Sequence, residues 1–249
     1  MTKYTINNVF DKTFNQPIWK IEVDCINNNL AIECRDPEST IPTFSICSFD
    51  GEILMQDYTV EEKEWTLEGI QGNSLILKKF GSSSPIQAGI QIIHFPTKTI
   101  IATFSEYILK EIRENIIIAI HRSIPSGLLF YINLKTGEVS STKQEPDFYY
   151  TCVEAPRPYL GKIPPFMKDI QYEDQLLIQA FDDHFLWTYQ TKNNCKFDLF
   201  LLLSTKNEIL DKKVIIKSLD KLILQPYFKV KNYIFFLSDT KQNIVTYLV

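Results

Sequence analysis

Residues 19–24 read Trp-Lys-Ile-Glu-Val-Asp, apolar and polar side chains in alternation, which is the period-2 pattern of a half-buried strand. Asn-Asn-Asn at 27–29 makes a turn, because Asn tolerates left-handed backbone and bonds its own main chain. Strands are then expected at 30–33, 44–49 and 52–56, separated by a loop at 35–39 and by Asp50-Gly51, the strongest hairpin dipeptide in the chain. The order recurs with strands at 65–68, 74–80, 89–95 and 99–104. It recurs again from 108 to 140, where Gly137 supplies the positive φ of a tight turn. A fourth copy begins with the aromatic run 148–153, carries a proline-rich insertion at 154–172, and resumes at 176–181, 185–189, 197–203 and 209 onward. The last copy runs from about Val214 to Val249. No window keeps apolar residues at helical spacing between caps, and only 60–68 suggests a short helical turn.

Aligning the final turn of each copy superposes Glu52, Thr99, Glu138, Glu208 and Asn243. Repeats of about 40 residues with four strands each are the pattern of a β-propeller, whose blades bury their faces only when stacked on one another. The expectation is an all-β fold, a β-propeller of about five four-stranded blades, forming a single domain over residues 1–249. The apolar end, 243–249, would be an exposed edge unless covered. Pairing with a strand at 4–9, or a dimer contact, is expected to cover it; the protein is expected to be a monomer or weak dimer.

Two resemblances support this reading. The turn Asn133-Leu134-Lys135-Thr136-Gly137-Glu138, and less closely 49–54, resembles the Asp-x-x-Thr-Gly-Glu/Lys turn of quinoprotein-like propeller repeats. The Trp that usually follows that turn is absent, and no cofactor is expected. Residues 19–24, 30–36, 44–45, 61–65 and 85–90 resemble a small uncharacterised bacterial family of unknown function, which implies no activity.

Composition narrows the partners. Aromatic residues make up 13% of the 249, which suits pleated surfaces. Net charge is −4 with both signs interspersed, so no basic field is present for nucleic acid. No apolar run approaches the roughly 18 residues of a membrane span. The opening Met-Thr-Lys-Tyr-Thr-Ile lacks a secretory pattern, and a cytoplasmic location is expected. Cys25, Cys34, Cys47, Cys152 and Cys195 have no Cys-x-x-Cys spacing and read as reduced core residues. The three histidines, His94, His121 and His184, lack zinc-site spacing, so no metal is expected.

In a propeller the loops between second and third strands share one face. That places Arg35, Asp36, Lys78, His121, Arg122, Asp182, Asp183 and His184 on a common rim, with Glu154 and Arg157 added by the insertion. Polar loop ends also serve solubility and chain reversal. The leading functional reading is a non-enzymatic binding or scaffold protein that takes an unknown protein or small molecule on this face. The alternative is a glycoside-hydrolase-like or other hydrolase with a carboxylate pair drawn from Asp24, Glu33, Asp36, Asp182, Asp183 and Glu154. Nucleophile elbows, phosphate loops and dinucleotide fingerprints are absent. Trp19, Trp65, Trp187, Tyr149, Tyr150 and Tyr189 are candidates either to stack a ligand or to pack the core.

Overall fold

A computed structural model describes residues 5–83, 86–124, 127–142, 153–181 and 183–248. Among the described residues the chain is all-β, with five antiparallel sheets. Strand β1 (Asn7–Thr13) comes first. Two compact units follow from the contacts: a central unit, Phe14–Cys152, and a terminal unit made of Met1–Thr13 with Val153–Val249.

The central unit holds three four-stranded meanders. They are β2 (Ile18–Asp24), β3 (Asn29–Arg35), β4 (Pro42–Ser48) and β5 (Ile53–Thr59); then β6 (Trp65–Gln71), β7 (Ser74–Ser83), β8 (Ile86–His94) and β9 (Thr99–Phe104); then β10 (Tyr107–Arg113), β11 (Ile116–His121), β12 (Leu129–Asn133) and β13 (Val139–Ser140). The expected turns form as their sequences require. Gly51 takes φ +90° and Gly137 φ +73°. In the second of these turns Asn133 Oδ1 also accepts the amides of Lys135 (2.9 Å) and Thr136 (3.1 Å). The segment 60–68 forms no helix, because Trp65 already opens β6.

Side-chain alternation explains the packing. In β7, Leu75 and Leu77 join one buried cluster with Phe44, Ile46 and Trp65, whereas Ile76 joins another with Ile92, Ile117 and Ile132. The β6–β9 sheet is thus apolar on both faces, which is why Leu-Ile-Leu runs unbroken there instead of alternating. Each first strand of these three sheets also carries a bulge, which leaves Trp19, Glu68 and Lys110 unpaired between neighbouring ladder rungs. An inserted residue re-aims side chains at the edge of a sheet.

The terminal unit begins with two short strands, β14 (Val153–Glu154) and β15 (Arg157–Pro158), and a 3-10 turn at Pro165–Met167. Then come β16 (Glu173–Phe181), β17 (His184–Asn193), β18 (Lys196–Ser204), β19 (Ile209–Leu219), β20 (Tyr227–Val230), β21 (Tyr233–Leu237) and β22 (Asn243–Leu248). They form two five-stranded sheets, ordered β15-β16-β17-β18-β19 and β1-β22-β21-β20-β14.

This differs from the sequence expectation in two places. Val153 pairs with Val230 in the last sheet and does not open the fourth copy, and the rest of the aromatic run lies outside the described residues. Val214 belongs to β19, and the closing run of strands in the last sheet begins at Tyr227. The expected cover for the final strand is present within this unit. Strand β1 pairs along β22 from Asn7↔Leu248 to Thr13↔Asn243. Ile6, just before it, is fully buried with Leu186, Tyr227 and Phe236, and its amide donates to Asp211 at 2.9 Å.

Candidate functional site

Several sequence-predicted positions of the central unit hold its sheets together, and others shape their own loops. Glu33 is fully buried. Its Oε1 accepts from Arg35 Nε at 2.6 Å, and its Oε2 accepts from Thr66 Oγ1 and the Leu67 amide, both at 2.7 Å. Arg35 also donates to the carbonyls of Thr40 (3.1 Å), Lys63 (2.9 Å) and Trp65 (2.8 Å). The exposed Trp19 ring lies under the guanidinium, 5.5 Å from it. Arg35 and Glu33 therefore stitch the β2–β5 sheet to β6. A buried charge pair is tolerable only when its other polar sites are satisfied in this way.

Asp36 caps its own loop, accepting from the Ser39 amide (2.7 Å), Ser39 Oγ (3.0 Å) and the Glu38 amide (3.0 Å). Those bonds, from Ser39 first, hold its carboxyl below the usual carboxylate range. Arg122 donates to the Ala88 carbonyl, again from one sheet to the next. His121 ends β11 with Nδ1 accepting the Ser123 amide at 3.1 Å and with its ring edge-on to Tyr107, 5.3 Å between centroids.

Asp24 also belongs to the framework. It accepts the amides of Ile26 and Asn27 (3.0 Å each) and, across to the next sheet, that of Gly72 (2.8 Å). Gln71 repeats the device one sheet on, accepting the Asn115 amide. Asp24 and Glu33 are both fully buried, with these framework bonds as their contacts across sheets.

A separate chain of charge links the first strands of two sheets. Lys20 Nζ lies 3.1 Å from Glu22 and 3.5 Å from Glu68, and donates to the Leu67 carbonyl at 2.8 Å. Glu68 in turn lies 3.5 Å from Lys78, one of the predicted residues. Burial raises the Glu22 pKa, Lys20 offsets this in part, and Glu68 adds to the rise.

In the terminal unit, Asp182 lies outside the described residues, Asp183 is exposed in the β16–β17 turn, and His184 opens β17 opposite Phe181. Counted back from the last strand of its sheet, that turn is the first hairpin, as Asp24–Asn29 is in β2–β5.

Glu154 and Arg157 are brought to one cleft. The segment 153–158 pairs with β20 through Val153 and Glu154, then with β16 through Arg157 and Pro158. It thereby spans the edges of both sheets of the unit. Glu154 accepts from Gln179 Nε2 at 2.6 Å, and Lys229 Nζ lies 3.4 and 3.5 Å from its two oxygens. Lys229 is 9% exposed, and its ammonium sits 4.4 Å from the Phe181 ring centroid. A cavity of about 620 Å³ opens here, walled by Ala155, Ile178 and Ala180 with Glu154, Arg157 and Gln179 as polar members.

No family model matches the sequence, and no curated protein matches it. Among solved structures, the chain is similar to the uncharacterized protein lmo1340 from Listeria monocytogenes EGD-e. The identity is 10% over 92% of this chain and 93% of that one, with a TM-score of 0.34. It is also similar to an oligogalacturonate lyase in complex with manganese, at 7% identity over 98% of this chain and 92% of that one, with a TM-score of 0.24. Likenesses of this size carry no argument about the chain.

Gln179, Phe181 and Lys229 were not anticipated from the sequence. Lys229 had a signal, since it interrupts Tyr-Phe-Lys-Val on the same side as Tyr227 and must bury its stem. Among the described residues there is no group of three or more His, Cys, Asp or Glu that could hold a metal ion, and no helix is long and apolar enough to cross a membrane. Trp65 and Trp187 pack in cores, whereas Trp19 is exposed. Cys25, Cys34 and Cys47 are buried and outside any disulfide; Cys195 instead lies exposed in the β17–β18 turn. Cys152 is outside the described residues.

Proposed function

We propose that the chain is a propeller-type binding protein whose five sheets act as blades and which takes a small polar ligand in the cleft beside Glu154 and Arg157. The observation that carries this is the segment 153–158, which crosses both sheets of the terminal unit and gathers a carboxylate, a carboxamide and a guanidinium around one cavity, the carboxylate being paired with the buried ammonium of Lys229. Concave sites with small apolar walls and a few convergent polar groups are the usual form of ligand pockets. The repeated meanders, and the sharing of one sheet by β1 and β22, support the propeller. Three buried reduced thiols support a cytoplasmic setting.

The test is a ligand-observed NMR screen of neutral and charged metabolites, followed by methyl chemical shifts on the protein. Hits are expected to move Ala155, Ile178 and Ala180. Hits that move only other methyls, or an absence of hits, end this reading.

One observation favours a second reading as a hydrolase. Glu22 and Glu68 both lie within 3.5 Å of Lys20, and burial pushes Glu22 toward its protonated form. An acid–base pair needs such an asymmetry between carboxyl groups. Turnover of an aryl glycoside panel that Glu22→Gln abolishes would support it; no turnover by the native protein rejects it.

A further inference from the structure

Resting on the cleft reading above, we infer that the ligand is a polyhydroxy carboxylate, its carboxylate held by Arg157 and its hydroxyls by Glu154. Among the described residues the Arg157 side chain makes no hydrogen bond, ion pair or ring contact, and it is exposed beside the cavity. Its backbone is nonetheless fixed. Pro156 and Pro158 flank it, Pro156 is buried, and Arg157 pairs with Ile178. A residue before proline is confined to extended backbone, so the direction in which this side chain leaves the chain is fixed while its head is unused. A guanidinium is a fork matched to the two oxygens of a carboxylate.

The charge balance also favours a monoanion. Lys229 neutralises Glu154, so Arg157 leaves the cleft with one positive charge in excess. Glu154 keeps acceptor capacity for hydroxyl donors. Oε2 takes the short bond from Gln179, whereas Oε1 has only the 3.5 Å contact with Lys229. A carboxylate offers about four lone-pair sites. At about 620 Å³ the cavity falls in the range of small-molecule sites and accommodates a six-carbon chain.

Three probes separate the parts of this inference: D-gluconate carries the carboxylate and the hydroxyls, sorbitol only the hydroxyls, and hexanoate only the carboxylate. By calorimetry and methyl NMR, gluconate is expected to bind at the cleft at least tenfold more tightly than either of the others. Arg157→Ala should weaken gluconate at least tenfold and leave sorbitol unchanged, while Arg157→Lys should recover only part of the affinity. If Arg157→Ala fails to fold, the same loss is read from Arg157→Gln and from the salt dependence of native binding. Sorbitol binding at the cleft as tightly as gluconate, or unchanged gluconate affinity in a folded Arg157 variant, overturns the inference but leaves the cleft reading standing. No response of Ala155, Ile178 and Ala180 to any of the three probes overturns the inference; the cleft reading falls as well only if the wider screen also leaves them unmoved.

Discussion

At the scale of single residues, Glu33 and Arg35 show how a polar loop end becomes part of the framework. Removing Glu33 leaves the Arg35 guanidinium, the Thr66 hydroxyl and the Leu67 amide without their acceptor in a buried place. Breaking one side of a buried pair typically costs about 3–5 kcal/mol, so Glu33→Ala should lower stability by that order in urea unfolding. An effect below about 1 kcal/mol would mean that water replaces the lost acceptor, since a surface pair is worth no more than that. Glu22 gives a prediction with a pH sign. Because burial raises its folded-state pKa above the ordinary 4.5, the folded protein holds that proton more tightly than the unfolded chain does. This contribution favours folding below the unfolded value and fades as pH rises through the folded pKa. Glu22→Gln should therefore raise the urea midpoint at pH 7.5, with the difference shrinking toward pH 4. A lowered midpoint at pH 7.5 would show that attraction to Lys20 outweighs desolvation. The sequence marked Arg35, Asp36 and Arg122 as polar chain reversals, and they are. Asp36 bonds within its own loop, but the partners of Glu33, Arg35 and Arg122 were not legible, because Leu67, Trp65 and Ala88 lie about thirty residues away and become neighbours only when sheets stack.

At the scale of elements, legibility followed the alternation of side chains. Strands β2 to β12 lie close to where period-2 patterns, Asn-Asn-Asn, Asp-Gly and Thr-Gly turns place them, except that β7 runs on to Ser83 and β8 begins at Ile86, in what reads as a loop between strands at 74–80 and 89–95. In the terminal unit the unbroken apolar runs arise because β18 is covered on both faces: Leu199, Leu201 and Leu203 enter one core and Leu202 another. Such runs do not state which strand begins a sheet, and strands of two residues such as β14 and β15 have no periodicity to read. The pairing of β1 with β22 yields the next expectation. Ile6 is fully buried, and truncating a buried Ile typically costs about 2–5 kcal/mol. Ile6→Ala should lower stability by that order, and deleting residues 1–13 should expose the β22 edge and promote aggregation. Equal solubility and an unchanged urea midpoint after deletion would show that β1 adds little. In the central unit, a Cβ on Gly89 would sit 2.9 Å from the Phe104 carbonyl oxygen and 3.5 Å from Trp65. Gly89→Ala should thus destabilise by about 1–3 kcal/mol, the usual cost of overpacking, where an open strand position would have gained from the substitution.

At the scale of the whole molecule, the proposed propeller makes a claim about cooperativity that two independent domains would not share. Blades bury their faces against one another, so each loses its core when its neighbour unfolds. The tryptophans are placed to test it. Trp65 is 7% exposed in a core of the central unit, and Trp187 is 3% exposed in a core of the terminal unit. Variants that keep one of these residues, with the other two tryptophans replaced by Phe, report each unit separately by fluorescence, while far-UV circular dichroism reports all the strands. If the sheets form one ring of blades, the Trp65, Trp187 and dichroism transitions in urea coincide in midpoint and slope, as a single cooperative unit requires. The slope itself is a second gauge, because it grows with the surface exposed and so with the number of residues that unfold together. Two separated midpoints, each with the shallower slope of a smaller unit, would overturn the single propeller. They would leave the cleft at Glu154 and Arg157 intact, since every residue that builds it belongs to the terminal unit.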